Sequence, residues 1–198
     1  KPADKVFREI DPNPLGVASI GQVHRATTLR GETVVLKVQK PGIRDKIDSD
    51  LRLLRHLARL AVDNSAELRR YRPLELVREF ERSLARELDF TIEARNADRI
   101  RKNLRKLEWV KVPRVYWAWT SPTLSVQELI EGIPARRLDK LDEAGVDRPL
   151  VARRGAEVAW KMALEDGFFH ADPHPGNFLI MPGNRIGMLD YGMVGKLS

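Results

Sequence analysis

The chain has 198 residues, 42% of them hydrophobic, and no cysteine. That length can bury one good core or two small ones, and the missing thiols exclude disulfide scaffolds and cysteine-ligated metal centres. Lysine and arginine total 35 against 28 aspartates and glutamates, a net charge of +7, and no apolar run approaches the ~18–20 residues that span a bilayer.

In chain order, residues 6–10 read as a short strand, 23–29 as a second and 33–39 as a third, with Arg30-Gly31 as the turn between the last two. Residues 43–62 carry Ile43, Ile47, Leu51, Leu54, Leu57, Leu60 and Ala61 at helical spacing, with Asn64 as a stop. Tyr71-Arg72-Pro73 is a break. Pro73 suits the first turn of a second long helix over about 74–107, interrupted near Asp89-Phe90. Its apolar stripe is Leu74, Val77, Phe80, Leu84 and Leu88. Residues 112–119 and 124–129 read as two more strands around Thr120-Ser121-Pro122-Thr123. A short helix over 138–144 follows, then a longer one over 149–165 with Val151, Ala156, Ala159, Met162 and Ala163 turned inward. Residues 178–181 and 185–189 form a hairpin around Pro182-Gly183-Asn184. The expectation is an α+β fold: a five-stranded antiparallel lobe with inserted helices over 1–132, and the start of a mostly helical second lobe over 133–198.

The densest chemistry lies near the carboxyl-terminal end. His170-Ala171-Asp172-Pro173-His174-Pro175-Gly176-Asn177 is followed, thirteen positions after Asn177, by Asp190-Tyr191-Gly192. Both intervals fit the protein-kinase order His-x-Asp-(x)4-Asn and then Asp-Phe-Gly, a catalytic carboxylate followed by two magnesium ligands. The spacing has a physical reason. A triphosphate is densely anionic, and magnesium takes about six hard oxygen ligands, only one or two of them carboxylates. Asn177 on a loop and Asp190 at the end of a hairpin strand can offer oxygens from two sides, with Asp172 as the candidate catalytic carboxylate. A zinc-hydrolase reading would put His170, Asp172 and His174 on one strand face, but Pro173 and Pro175 oppose a regular strand there.

The other half of such a site must lie upstream. Gly16-Val17-Ala18-Ser19-Ile20-Gly21 has the kinase glycine-loop pattern with Ala18 at the middle glycine. Gly16, Val17, Ala18, Ser19 and Gly21 are therefore candidate phosphate contacts; a plain hairpin turn gives the same pattern. Lys37 sits in the aliphatic run Val34-Val35-Leu36-Lys37-Val38, where a lysine is out of place unless paired. It matches the kinase lysine that contacts the α- and β-phosphates and pairs with a helix glutamate. The plain alternative is an edge lysine facing water. Glu81, Glu87 and Glu93 are candidate partners. Glu128-Leu129-Ile130-Glu131-Gly132 falls where a kinase hinge holds adenine, so the main chain at Glu128 and Ile130 is the candidate adenine contact.

Together these residues resemble the UbiB/ADCK family of atypical protein-kinase-like proteins. Four stretches carry the likeness: Pro14 to His24, Val35 to Ile43, Glu87-Leu88-Asp89-Phe90 on to Glu93, and His170 to Asn177. The resemblance spans essentially the whole chain. It implies a two-lobed kinase-like fold that binds ATP or ADP with magnesium. It also implies phosphoryl transfer or ATP hydrolysis supporting isoprenoid-quinone (ubiquinone-type) biosynthesis. It carries the phosphate-contacting lysine onto Lys37, the catalytic aspartate onto Asp172 and the metal ligands onto Asn177 and Asp190. The family's Glu-x-Asp falls on Glu87 and Asp89, and Glu93 resembles the lysine's usual partner, although either glutamate could pair with Lys37. Three features depart from the family. Gly16-Val17 stands where alanines are usual, a Lys-x-Gly-Gln segment is absent, and the chain stops shortly after Gly192, as a fragment of a longer protein would.

The basic surplus clusters at Arg52, Arg55, Arg59, Arg69, Arg70 and Arg72, and again from Arg95 to Lys106. Such a surface meets anionic lipid or nucleic acid, or is simply solvated. Aromatics do not interleave with these arginines and no helix-turn-helix or zinc pattern appears, so nucleic acid is not an expected partner. The expected partners are the nucleotide, an anionic membrane lipid or quinone-precursor lipid, and proteins of quinone biosynthesis. The expected location is cytoplasmic, peripheral to an inner membrane or anchored there through segments outside this sequence. The same residues could also serve a non-catalytic, ATP-binding switch or scaffold.

Overall fold

The computed structural model describes residues 2–197. Strands β1 (Phe7–Ile10), β2 (Gly16–Val17), β3 (Gly21–Thr28) and β4 (Thr33–Gln39) come first, then helices α1 (Ile43–Asn64), α2 (Ala66–Arg70), α3 (Pro73–Glu87) and α4 (Phe90–Asn103). They are followed by β5 (Val110–Lys111), β6 (Leu124–Glu128), β7 (Ile133–Pro134), α5 (Leu138–Glu143) and α6 (Arg148–Trp160). Strands β8 (Phe168–His170), β9 (Phe178–Met181), β10 (Arg185–Met188) and β11 (Val194–Lys196) complete an α+β fold.

Five strands make an antiparallel sheet in the order β1-β3-β4-β6, with β2 on β3. The pleat sorts β4. Val34 and Leu36 point into a core with Val6, Phe7, Ala26 and Val126, so Lys37 emerges on the opposite face. The strand count agrees with the sequence expectation, but the membership differs. Residues 112–119 are not a strand; Val115 makes one isolated bridge to Gln127 and Trp117–Trp119 form a 3-10 turn. Tyr116 stacks on Trp119 at 5.3 Å, and Phe7 meets Trp119 edge-on at 5.9 Å. This aromatic cluster closes the end of the small core, and Gly16–Val17 supplies the fifth strand instead.

The helix expected over 74–107 is interrupted at Asp89-Phe90, where the sequence placed the break, and it ends at Asn103. α3 stops at Glu87, and Asp89, in extended conformation, caps α4 by accepting from the Thr91 N–H at 2.9 Å. α1 and α3 pack side by side, with Arg55 Nε 2.5 Å from Glu81 Oε1. Leu51, Ala58 and Val77 are buried, but Leu54, Leu57, Leu60 and Phe80, expected inward, are exposed. A helix with one close neighbour buries only one narrow stripe.

β10 pairs with β9, β9 with β7, and β5 joins β10 in parallel through Ile186 and Val110. β11 pairs with β8. α6 buries Val158, while Ala156 and Ala159, expected inward, are exposed. It runs into one π-helical turn, Lys161–Glu165, where Lys161 pairs with Asp166 at 2.7 Å. The inward side of α6 runs through Val151, Gly155, Val158 and Met162 at regular helical spacing, and Ala156 and Ala159 fall beside it.

The larger core forms around α4. Ala94, Ala97, Ile100 and Leu104 pack with Val158, Met162, Phe168, Met188 and Tyr191. The two alanines let the helix backbone approach closely. α4 therefore begins against the Lys37 face of the sheet, where Glu93 meets Lys37 and the Phe90 N–H donates to the Pro122 C=O, and ends in the larger core.

Candidate active site

The side chain of Lys37 leaves β4 toward α4. Its Nζ lies 2.5 Å from Glu93 Oε2, the two side chains being 24% and 11% exposed. Nζ also lies 5.1 Å from the Phe90 ring centroid, an orientation that favours a cation. Between the two glutamates that the sequence left open, the pairing falls to Glu93. Glu87, at the end of α3, is exposed and forms no ion pair among the described residues.

Glu93 faces a second element as well. Its Oε1 accepts from the Tyr191 N–H at 3.5 Å, and Asn96, one turn along α4, donates its Nδ2 to the Tyr191 C=O at 3.0 Å. The Tyr191 ring is fully buried and its hydroxyl donates to the Met188 C=O at 2.7 Å. Burial first, and then the carboxylates of Glu93 and Asp190, hold that hydroxyl's pKa well above the usual tyrosine range.

Asp190 stands between two anchored neighbours. Tyr191 is gripped by α4, and the Leu189 N–H donates to the Asn177 C=O at 2.8 Å. The backbone of Asp190 is left-handed, with φ 53°, a region that costs a non-glycine residue energy and persists where its surroundings impose it. Its Oδ1 accepts from the Gly192 N–H at 3.1 Å. On the other strand of the hairpin, Asn177 donates its Nδ2 to Asp172 Oδ2 at 3.0 Å and to the Asp172 C=O at 3.2 Å.

His170 ties the two acidic segments together. Its Nδ1 accepts from the Asp172 N–H at 3.1 Å, so the proton lies on Nε2, which donates to the Leu189 C=O at 3.2 Å. One buried imidazole thus fixes Asp172 and the residue before Asp190 at once. His174 has only a local role: its Nδ1 accepts from the Gly176 N–H at 3.0 Å in the Pro175–Asn177 turn.

Lys37, Glu93, Asp190, Asn177 and Asp172 are therefore linked by an unbroken series of contacts. The donor set fits magnesium. Asn177 spends its amide N–H on Asp172 and keeps Oδ1, and Asp190 keeps Oδ2, as hard oxygens with no protein donor among the described residues. A magnesium ion that takes its other oxygens from phosphate and water needs no more protein ligands than these. Against the zinc reading, both ring nitrogens of His170 are engaged by main-chain groups, and no group of three or more His, Asp or Glu is placed to hold a metal among the described residues.

Residues 16–19 of the glycine loop are exposed and Gly21 is buried, and the loop's roles divide. Gly16 and Val17 pair with Val23 and Gln22, and the Ala18 N–H is spent on the Gly21 C=O at 2.9 Å. The N–H groups of Ser19 and Ile20 donate to no acceptor among the described residues, so they are the loop donors left open to an anion. Gly21 is a glycine for packing: a Cβ there would lie 2.7 Å from the Val38 C=O and 3.4 Å from the Phe90 ring. At the hinge, Glu128 gives its side chain to Lys111 at 2.6 Å and to the Arg114 N–H at 3.1 Å, and its own N–H to the Arg114 C=O at 2.9 Å, leaving only its C=O for an adenine edge. Ile130 makes no backbone hydrogen bond among the described residues. Two surface cavities lie apart from this cluster. One, of about 490 Å³, is lined by Ile133, Val146 and Met181; the other, of about 580 Å³, by Arg30, Arg114 and Trp119.

From the sequence, His170 stood only as a motif position and a zinc candidate and Tyr191 only as a motif position, and Asn96 was not singled out. Asn96 carried one usable signal, its position one helical turn after Glu93.

Residues 1–198 match the family model described as the ABC1 atypical kinase-like domain. The chain belongs to this family. The ABC1 domain is the group to which the UbiB/ADCK resemblance pointed. It is 40% identical, over 98% of its length, to Protein ACTIVITY OF BC1 COMPLEX KINASE 8, chloroplastic, from Arabidopsis thaliana, and covers 26% of that protein. It is also 40% identical, over its whole length, to the uncharacterized protein sll1770 of Synechocystis, and covers 34% of it. The chain thus spans about a third or less of the length of these curated relatives. Among solved structures, the erythromycin complex of Rv3197 from Mycobacterium tuberculosis superposes with a TM-score of 0.78 at 28% identity, over 98% of this chain and 48% of the other. The fold is kinase-like.

Proposed function

We propose that this ABC1 domain binds ATP with magnesium against Lys37 and Asp190 and uses Asp172 to promote phosphoryl transfer or ATP hydrolysis. The observation that carries the reading is the placement of Asp190, anchored through Tyr191 to the Lys37–Glu93 pair and through Leu189 to the Asn177–Asp172 loop. Lys37, oriented by Glu93, provides a fixed positive charge for phosphate oxygens. Ser19 and Ile20 add backbone N–H donors above it. Asn177 and Asp190 would hold magnesium, which neutralises charge on the phosphates when bound. Asp172, steadied by His170 and Asn177, accepts a proton from an attacking hydroxyl or orients an attacking water. The main chain at Glu128 and Ile130 takes the adenine edge.

The service to isoprenoid-quinone production is supported by the UbiB/ADCK resemblance. Contact with an anionic membrane or a quinone-precursor lipid is supported by exposed Leu53, Leu57, Leu60 and Phe80 beside Arg52 and Arg59 on the α1–α3 pair. No helix among the described residues is long and apolar enough to cross a membrane, so this contact is peripheral in the proposal.

Single-turnover ATP consumption, with and without anionic vesicles, tests the reading. Asp172→Asn should lower the rate by about 10²–10⁴-fold while nucleotide affinity holds. A wild-type rate in that variant refutes the catalytic role and leaves a nucleotide-binding switch.

A further inference from the structure

The Tyr191 peptide group is held at both ends by one face of α4. Glu93 takes its N–H and Asn96, three residues later, supplies a donor to its C=O. The helix that carries these two side chains is itself fixed, since Ala94, Ala97 and Ile100 are all fully buried. From below, the Tyr191 hydroxyl is tied to Met188. The residue immediately before this clamped unit is Asp190, whose left-handed φ of 53° is one of three positive values among the described non-glycine residues. A short carboxylate in that conformation needs its flanking peptides held, because relaxation to an ordinary φ would swing it away. The Glu93 contact is long at 3.5 Å and Glu93 is shared with Lys37, so the shorter Asn96 bond at 3.0 Å is the firmer grip.

We infer that Asn96 is the positioning residue that holds the Asp190 carboxylate in its metal-binding orientation. This rests on the proposed nucleotide site. Asn96 reaches neither phosphate nor metal; it acts through the carbonyl of Tyr191. The substitution that isolates this role is Asn96→Asp, which keeps the shape, cannot donate at neutral pH, and sets a negative oxygen against the carbonyl. Asn96→Ala removes the donor without adding charge.

The test is a titration of magnesium against a fluorescent ADP analogue, alongside the same binding in EDTA, for the whole chain. Losing one neutral hydrogen bond is worth about a fivefold change. Both variants should raise the half-saturating magnesium concentration about fivefold or more while metal-free affinity stays within twofold. In the nucleotide-free protein, hydrogen exchange at Tyr191 and Gly192 should accelerate, with β9 and β10 unchanged. An unchanged magnesium requirement overturns the inference, as does an equal loss with and without the metal, which marks a merely structural asparagine. Asp190→Asn separates this failure from failure of the site itself: if that variant too leaves the magnesium requirement unchanged, the nucleotide-site reading falls first.

Discussion

Gly21→Ala should destabilise the domain although nothing chemical is removed. The added methyl would lie 2.7 Å from the Val38 carbonyl oxygen and 3.4 Å from the Phe90 ring. Neither neighbour can yield cheaply. Val38 lies in β4, paired to β3 on one side and to β6 on the other, and Phe90 is 1% exposed at the start of α4. Overpacking against fixed backbone costs about 1–3 kcal/mol. For a domain of this size that corresponds to a fall in Tm of roughly 2–12 °C. The displacement would run through Phe90 into the helix that carries Glu93, so nucleotide affinity should fall with stability. Gly16→Ala is the internal control, since a Cβ there meets nothing within 4 Å. Thermal unfolding of both variants, followed by near-ultraviolet circular dichroism, decides it. The reasoning is wrong if Gly21→Ala unfolds within 1 °C of wild type, or if Gly16→Ala loses as much.

Further outcomes are open to measurement. Glu93→Gln should weaken nucleotide binding at least about tenfold, because a charge-assisted partner of Lys37 worth about 1.5–3 kcal/mol is lost, whereas Glu87→Gln, at an exposed position, should not; a nucleotide titration that ranks them the other way contradicts the pairing. Tyr191 carries an alkaline dependence. Its folded pKa lies above the ordinary 10.0, so the stability tied to its protonated form is complete below that value and declines as pH rises past it. Tyr191→Phe should therefore lose stability at neutral pH by about 1–3 kcal/mol, from the unpaired Met188 carbonyl, yet unfold less steeply with pH above about 10. Urea midpoints across the alkaline range check both, and parallel curves for the two proteins would be the contrary result.

Much of the site was legible because its chemistry fixes residue types at short intervals. His170 to Asn177 and Asp190 to Gly192 are separated by one hairpin, and that hairpin formed where Pro182-Gly183-Asn184 placed it. Lys37 betrayed itself as a charge in an aliphatic strand. Glu93 could not be separated from Glu87 in sequence, because both lie near the α3–α4 break and only the Asp89 cap sets which way α4 starts. The run 112–119 misled because alternating apolar residues also describe a segment whose aromatics stack on one another. Val110 joining β10, and Asn96 reaching Tyr191, join residues about 75 and 95 positions apart, and local patterns carry no record of such meetings.

The central claim is that Lys37, Asn177 and Asp190 surround one nucleotide, and a structure of the domain with ADP and magnesium tests it most directly. The account predicts metal at about 2.1 Å from oxygens of Asn177 and Asp190, with the Lys37 ammonium on a phosphate. Nucleotide seated instead in the cavity beside Met181 or the one beside Arg114, with Lys37 still paired only to Glu93, would contradict it.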